Sequence, residues 1–164
     1  MDNFSKYKIK KIKNFSNLEP SLVFDSNGLI FFEKKGNLIK YNYSQELIWK
    51  KNFYSNQEKK TDILINIANT DNITIITDNL AKYYAINSLN GELLWSKTNL
   101  TPFNSQIKIY KDKFYIVDYE NIVHCFSVKD GNKIWSYETD NFFVKSTKKL
   151  SIIIKNNKVI FNNS

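Results

Sequence analysis

Short apolar runs, alternating with polar positions and punctuated by Asn, Asp and Gly, recur along the chain from Leu22 onward. Alternation over four to eight residues between turn signals predicts β-strands rather than helices. Residues 22–24, 29–32, 38–41 and 46–52 form a first group of four predicted strands. A polar stretch over 54–61 separates it from a second group at 63–68, 73–77, 82–87 and 92–97, and a third follows at 106–110, 113–118, 122–128 and 133–138. Turns are predicted at Asp25-Ser-Asn-Gly28, Lys35-Gly36-Asn37, Asn69-Thr-Asp-Asn72, Asp78-Asn79, Asn90-Gly91 and Asp130-Gly131. Asn27-Gly28 reads as a two-residue hairpin loop, because both residue types tolerate positive φ.

The groups are copies of one another. The last strand of each carries a tryptophan, in Leu47-Ile-Trp49, Leu93-Leu-Trp95 and Lys133-Ile-Trp135, with spacings of 46 and then 40 residues. Gly91 and Gly131 precede their tryptophans at equivalent places, where the first group has Ser44-Gln45. A period of this size marks stacked repeats, and four-stranded units of this length usually build a β-propeller with one unit per blade. The expected fold is therefore all-β. A basic strand lies in 1–21, blades span 22–53, 62–99 and 105–140, and 141–164 forms a partial fourth blade. In that last unit, residues 141–145, 150–155 and 158–162 read as first, second and third strands. Two accounts of the remainder stand side by side: the segment 7–15 completes the fourth blade and closes a small ring, or the chain is part of a longer propeller, such as half of an eight-bladed ring.

Composition narrows the function classes. An aromatic content of 15% excludes a disordered chain. The net charge is +8, yet every basic residue is lysine. Anionic partners suit such a charge, but arginine supplies the bidentate contacts that specific nucleic-acid recognition favours. Specific nucleic-acid binding is not expected. No apolar run reaches the ~18 residues of a membrane span. The N-terminal residues have no signal-peptide core or lipidation cysteine.

The segments Tyr84-Ala-Ile-Asn-Ser-Leu-Asn-Gly-Glu-Leu-Leu-Trp95 and Phe126-Ser-Val-Lys-Asp-Gly-Asn-Lys-Ile-Trp135 resemble the pyrroloquinoline-quinone-like propeller repeat, and Tyr41 to Trp49 is a shorter copy without the glycine. The resemblance implies that Trp49, Trp95 and Trp135 lock neighbouring blades together, with Gly28, Gly36, Gly91 and Gly131 at turns. It implies one of two activities. Quinone-dependent dehydrogenases need a calcium held by several oxygen ligands and a catalytic Asp, and the sequence assigns neither. The non-catalytic branch is similar to the BamB-like propeller lipoproteins of outer-membrane barrel assembly. The expectation is a non-enzymatic protein-interaction scaffold without cofactor, periplasmic or outer-membrane-associated if the resemblance holds. A dehydrogenase fragment and a basic nucleic-acid-binding module are the alternatives. An open half ring predicts homodimerisation, capture of a protein partner on a face or free sheet edge, or aggregation.

Candidate chemistry is sparse. His124 and Cys125 are adjacent on a strand and face opposite sides, so they make neither a metal pair nor a nucleophile–base pair. Lys6, Lys8 and Lys10 share one face of the predicted basic strand and could hold an anion, although lysines also protect sheet edges. No catalytic or metal-binding residue is assigned.

Overall fold

The computed structural model describes residues 21–33, 35–138, 151–155 and 158–162. The chain is an all-β propeller. Its first blade is the meander β1 (Leu22–Asp25), β2 (Gly28–Glu33), β3 (Asn37–Tyr41) and β4 (Leu47–Asn52). The second comprises β5 (Ile65–Thr70), β6 (Ile73–Asp78), β7 (Lys82–Asn87) and β8 (Leu93–Thr98), and the third β9 (Lys108–Tyr110), β10 (Lys113–Val117), β11 (Ile122–Ser127) and β12 (Lys133–Glu138). A two-stranded sheet follows, β13 (Ser151–Lys155) with β14 (Lys158–Asn162). All pairing is antiparallel, and the first strands β1, β5, β9 and β13 lie side by side along the chain of blades.

Each blade folds this way for local reasons that repeat. Asp78 and Asp118 close the second-to-third-strand turns. Oδ1 of Asp78 accepts from the Leu80 and Lys82 amides, and Oδ1 of Asp118 from those of Glu120 and Ile122. The residue before the third strand has a positive φ in every blade, at Gly36, Ala81 and Asn121. A β-bulge interrupts each third-to-fourth-strand pair, between Lys40 and Tyr41, Ala85 and Ile86, and Cys125 and Phe126. Ile48, Leu94 and Ile134 face solvent opposite these bulges, which twist the outer edge away from further pairing.

The first hairpin differs from expectation. Its loop is Ser26-Asn27, because Asp25 pairs with Gly28, and Gly28 opens β2 with φ of 151°. That glycine is required by crowding: a Cβ there would lie 1.9 Å from the Tyr41 carbonyl oxygen. The polar linker also holds a short 3₁₀ turn, Glu58–Lys60. The Ser55 amide and the Glu58 carboxylate bond each other there, and this backbone bond holds the Glu58 carboxyl below its usual range.

The fourth unit departs from the sequence reading more sharply. β13 and β14 were expected as second and third strands. Their register instead pairs Lys155 with Lys158, as Thr70 pairs with Ile73 and Tyr110 with Lys113. β13 also packs beside β9 as β9 packs beside β5. They are therefore the first and second strands of the unit. The apolar run Ile152-Ile153-Ile154 suits either position, so only register separates the two. The segments 1–20 and 141–145, with Lys6, Lys8 and Lys10, lie outside the described residues.

The core sits between blades. One cluster joins Ile30, Leu38 and Trp49 of the first blade to Ile76, Tyr84 and Ile86 of the second, and includes Tyr54 from the linker. A second joins Ile75, Tyr83 and Ala85 to Phe114, Ile116 and Phe126 of the third. A third joins Val117 and Val123 to Ile152. In the first cluster Tyr54 donates to Asp78 Oδ2 at 2.8 Å and meets Tyr84 edge-on. Burial pushes both phenols well above the usual tyrosine range. Both pKa values are higher folded than unfolded, so the stability these groups contribute is full below pH ~10 and is lost as pH rises above it. Above pH ~10 each tyrosine should lower stability by about 1.4 kcal/mol per pH unit. Urea midpoints measured against pH check this, with Tyr54→Phe expected to flatten the alkaline slope.

Candidate functional site

The same contact recurs at the first two blade junctions. Trp49 Nε1 donates to the Ser88 carbonyl at 3.2 Å, and Trp95 Nε1 to the Val128 carbonyl at 3.0 Å. Both carbonyls belong to the turn after the third strand of the following blade. The same turns hold Gly91 (φ 71°) and Gly131 (φ 67°). A Cβ on Gly91 would lie 2.8 Å from the Trp49 ring, and one on Gly131 would lie 2.7 Å from the Trp95 ring. Each glycine is thus held by its left-handed backbone and by an indole resting on it. The indole covers apolar area and spends its N–H on a turn carbonyl of the next blade.

Lys40 adds a second bond to the first junction. Its side chain is fully buried, and its ammonium donates to Asp25 Oδ2 at 2.7 Å and to the Ser88 carbonyl at 2.8 Å. Lys40 pairs across the sheet with Trp49, so both donors converge on one oxygen. The positions equivalent to Lys40 are Ala85 and Cys125, each opposite its own tryptophan. Sequence reasoning missed Lys40. Its one signal is a lysine inside the apolar run Leu38-Ile-Lys-Tyr.

Trp135 stands apart from the other two. Trp49 is 6% exposed, while Trp135 is 39% exposed and its ring meets that of Tyr115 of its own blade at a tilt, 5.9 Å between centroids. Beside it Val123, Ser136, Tyr137 and Val159 complete the lining of a largely apolar groove of about 460 Å³. On the opposite, inner side, β1, β5 and β9 border a more polar groove of about 390 Å³, with Asn66, Asn69, Gln106 and Lys108 on its walls. There Asn69 bonds the Phe24 carbonyl and Ser21 bonds the Ile65 carbonyl, tying neighbouring blades together.

The remaining candidates are structural in their surroundings. His124 Nε2 contacts Asp118 Oδ2 at 2.9 Å, and among the described residues its buried Nδ1 has no hydrogen-bond partner. Cys125 lies on the other face between Tyr115 and Trp135, and burial pushes its thiol up. His124 and Cys125 are not brought together. Among the described residues, no three His, Cys, Asp or Glu side chains converge to hold a metal. Asp78 and Asp118 are committed to turn amides and to Tyr54 and His124, and these residues do not fit a calcium–quinone site.

Blade topology, junction tryptophans and turn glycines together define the repeat, and comparison with known proteins places it. The profile of the family described as outer membrane protein assembly factor BamB matches residues 34–164. The chain belongs to this family. A comparison with curated protein sequences finds no match. Among solved structures, the fold is similar to BamB from Moraxella catarrhalis, with TM-score 0.60 and 16% identity over 73% of this chain and 34% of that one. It is also similar to the computationally designed Ika4 protein, with TM-score 0.67 and 11% identity over 88% of this chain and 85% of that one. A europium-containing methanol dehydrogenase matches with TM-score 0.58 and 14% identity, over 71% of this chain and 24% of its own. At these identities the likeness is one of fold. The chain spans about a third of the Moraxella BamB chain it matches.

Proposed function

We propose that this protein is a non-enzymatic interaction scaffold that assists assembly of outer-membrane β-barrel proteins, acting in the periplasm or at the inner face of the outer membrane. The observation that carries the reading is the exposed Trp135 groove beside the edge of β14, in a chain of the BamB family. Apolar grooves beside strand edges recognise extended polypeptide through main-chain hydrogen bonds and side-chain pockets. The buried carboxylates, committed to turns, support a scaffold over a quinone enzyme. Depletion of the protein in its host tests the reading. Barrel proteins in the outer-membrane fraction should fall and recover on re-expression; unchanged levels would overturn it. Calcium-dependent binding of pyrroloquinoline quinone to the purified chain, measured by calorimetry, would overturn the non-enzymatic part.

A further inference from the structure

Asparagine precedes glycine at Asn27-Gly28 and Asn90-Gly91, and aspartate does so at Asp130-Gly131. Such pairs can react with themselves. Glycine has no Cβ, so its amide nitrogen is unusually open to attack on the side-chain carbonyl just before it. The reaction needs that side chain to swing freely over the nitrogen.

The repeat removes this freedom in two of its turns. Asn90 Oδ1 accepts from the Glu92 amide at 3.0 Å, and Asn90 Nδ2 donates to the Glu92 carboxylate at 2.9 Å. Asp130 Oδ1 accepts from the Asn132 amide at 3.0 Å, and its Oδ2 accepts from Asn132 Nδ2 at 2.7 Å. Each side chain is clamped at both terminal atoms by the residue two positions on. The Gly91 and Gly131 amides donate to the Asn87 and Ser127 carbonyls, and an indole rests on each glycine. Asn27 has no such clamp. It is exposed at the tip of the β1–β2 hairpin, and among the described residues its carboxamide has no hydrogen-bond partner. Only its main-chain amide is held, by Asp25 Oδ1 at 2.8 Å.

We propose that Asn27 is a site of spontaneous modification, where the folded protein closes a succinimide with Gly28 that opens to isoaspartate and loosens the first hairpin. The Gly28 amide nitrogen gives its proton to solvent and attacks Asn27 Cγ. The Cγ–Nδ2 bond breaks, and the side-chain nitrogen takes up a proton and leaves as ammonia. Water then adds to one of the two carbonyl carbons of the five-membered imide. Opening at Cγ gives aspartate. Opening at the main-chain carbonyl gives isoaspartate, whose main chain runs through the former side chain. Asparagine and water thus become an acid and ammonia, with no change of oxidation state.

The position gives this reaction a structural consequence. Asp25 pairs with Gly28 across Ser26 and Asn27 alone, and isoaspartate adds one main-chain carbon inside that loop. Gly28 has little room to absorb the change, because the Tyr41 carbonyl crowds it. Asp25 is the counter-charge of buried Lys40, and its carbonyl accepts from the Tyr43 hydroxyl. The contacts that fix the first blade are therefore the ones disturbed. The site lies apart from the Trp135 groove, and its chemistry is independent of the scaffold reading.

The test incubates the whole chain in warm, mildly alkaline buffer and follows its peptides by mass spectrometry, with isoaspartate separated from aspartate by retention time. In the folded protein Asn27 should convert at least about tenfold faster than Asn90, since two hydrogen bonds must break before Asn90 can react. In urea the two rates should converge, because both residues precede glycine and the clamp is gone. Asn27 left intact in the folded protein, or Asn90 converting as fast, overturns the proposal. Incubated wild-type protein should also lose urea midpoint, while incubated Asn27→Ser keeps its own. Fresh Asn27→Asp, which has the charge without the added carbon, should match fresh wild type. An equal loss in Asn27→Ser, or no loss in fully converted wild type, would break the link to the hairpin. A lowered midpoint in fresh Asn27→Asp would assign the effect to charge and overturn the part given to isoaspartate.

Discussion

Trp49→Ala is expected to destabilise the protein by about 3–5 kcal/mol, whereas Trp135→Ala should cost only about 1 kcal/mol. The two residues hold the same place in the repeat, so the difference measures the junction and not the side chain. Trp49 is buried between blades, rests on Gly91 and donates to Ser88. Its removal leaves a large cavity at the seam and takes one of the two donors from the Ser88 carbonyl, which keeps only the Lys40 ammonium. Trp135 already faces solvent and gives up much less. Urea unfolding followed by circular dichroism separates them. Because stacked blades contact mainly their neighbours, Trp49→Ala should also broaden or split the transition as the first blade loses its hold on the second. Equal losses for the two variants would show that the indoles act within blades instead of between them.

Lys40→Ala should cost a similar ~3–5 kcal/mol, because it leaves a buried carboxylate without its counter-charge. Asp25 is nearly as buried as Lys40, and the lysine also serves the Ser88 carbonyl. Replacing both partners, as Lys40→Met with Asp25→Asn, should recover much of the loss, since no uncompensated charge then remains inside. Lys40 and Trp49 meet at one oxygen, so their effects should not add. The double variant Lys40→Ala with Trp49→Ala should depart from the sum by more than about 0.5 kcal/mol. Strict additivity in the urea midpoints would mean that the two donors hold the turn independently.

Much of this architecture was legible because the repeat writes it several times. Alternation with a period of two located the strands, and the tryptophans gave the blade count. Gly91 and Gly131 were readable as turn residues, but not as seats for an indole from the preceding blade, since that contact joins residues about 40 positions apart. Lys40 was hidden for a related reason. Its partners Asp25 and Ser88 come from a different strand and a different blade, and a lysine in a strand reads as solvent-facing until both are present. The order of strands in the fourth unit was misread because apolar alternation fits any strand of a blade. Strand register and packing against β9 were needed to place it.

By itself, then, the chain's alternation and its repeated glycine–tryptophan spacing determine an all-β propeller of four-stranded blades, because strand faces and turn geometry are local properties. Assembly of the blades decided the rest: that each indole closes on the next blade's turn, that a lysine is buried at the first seam, and that Trp135 borders an open groove. Those outcomes depend on which surfaces meet between blades, and an interface is completed only when both of its sides are in place.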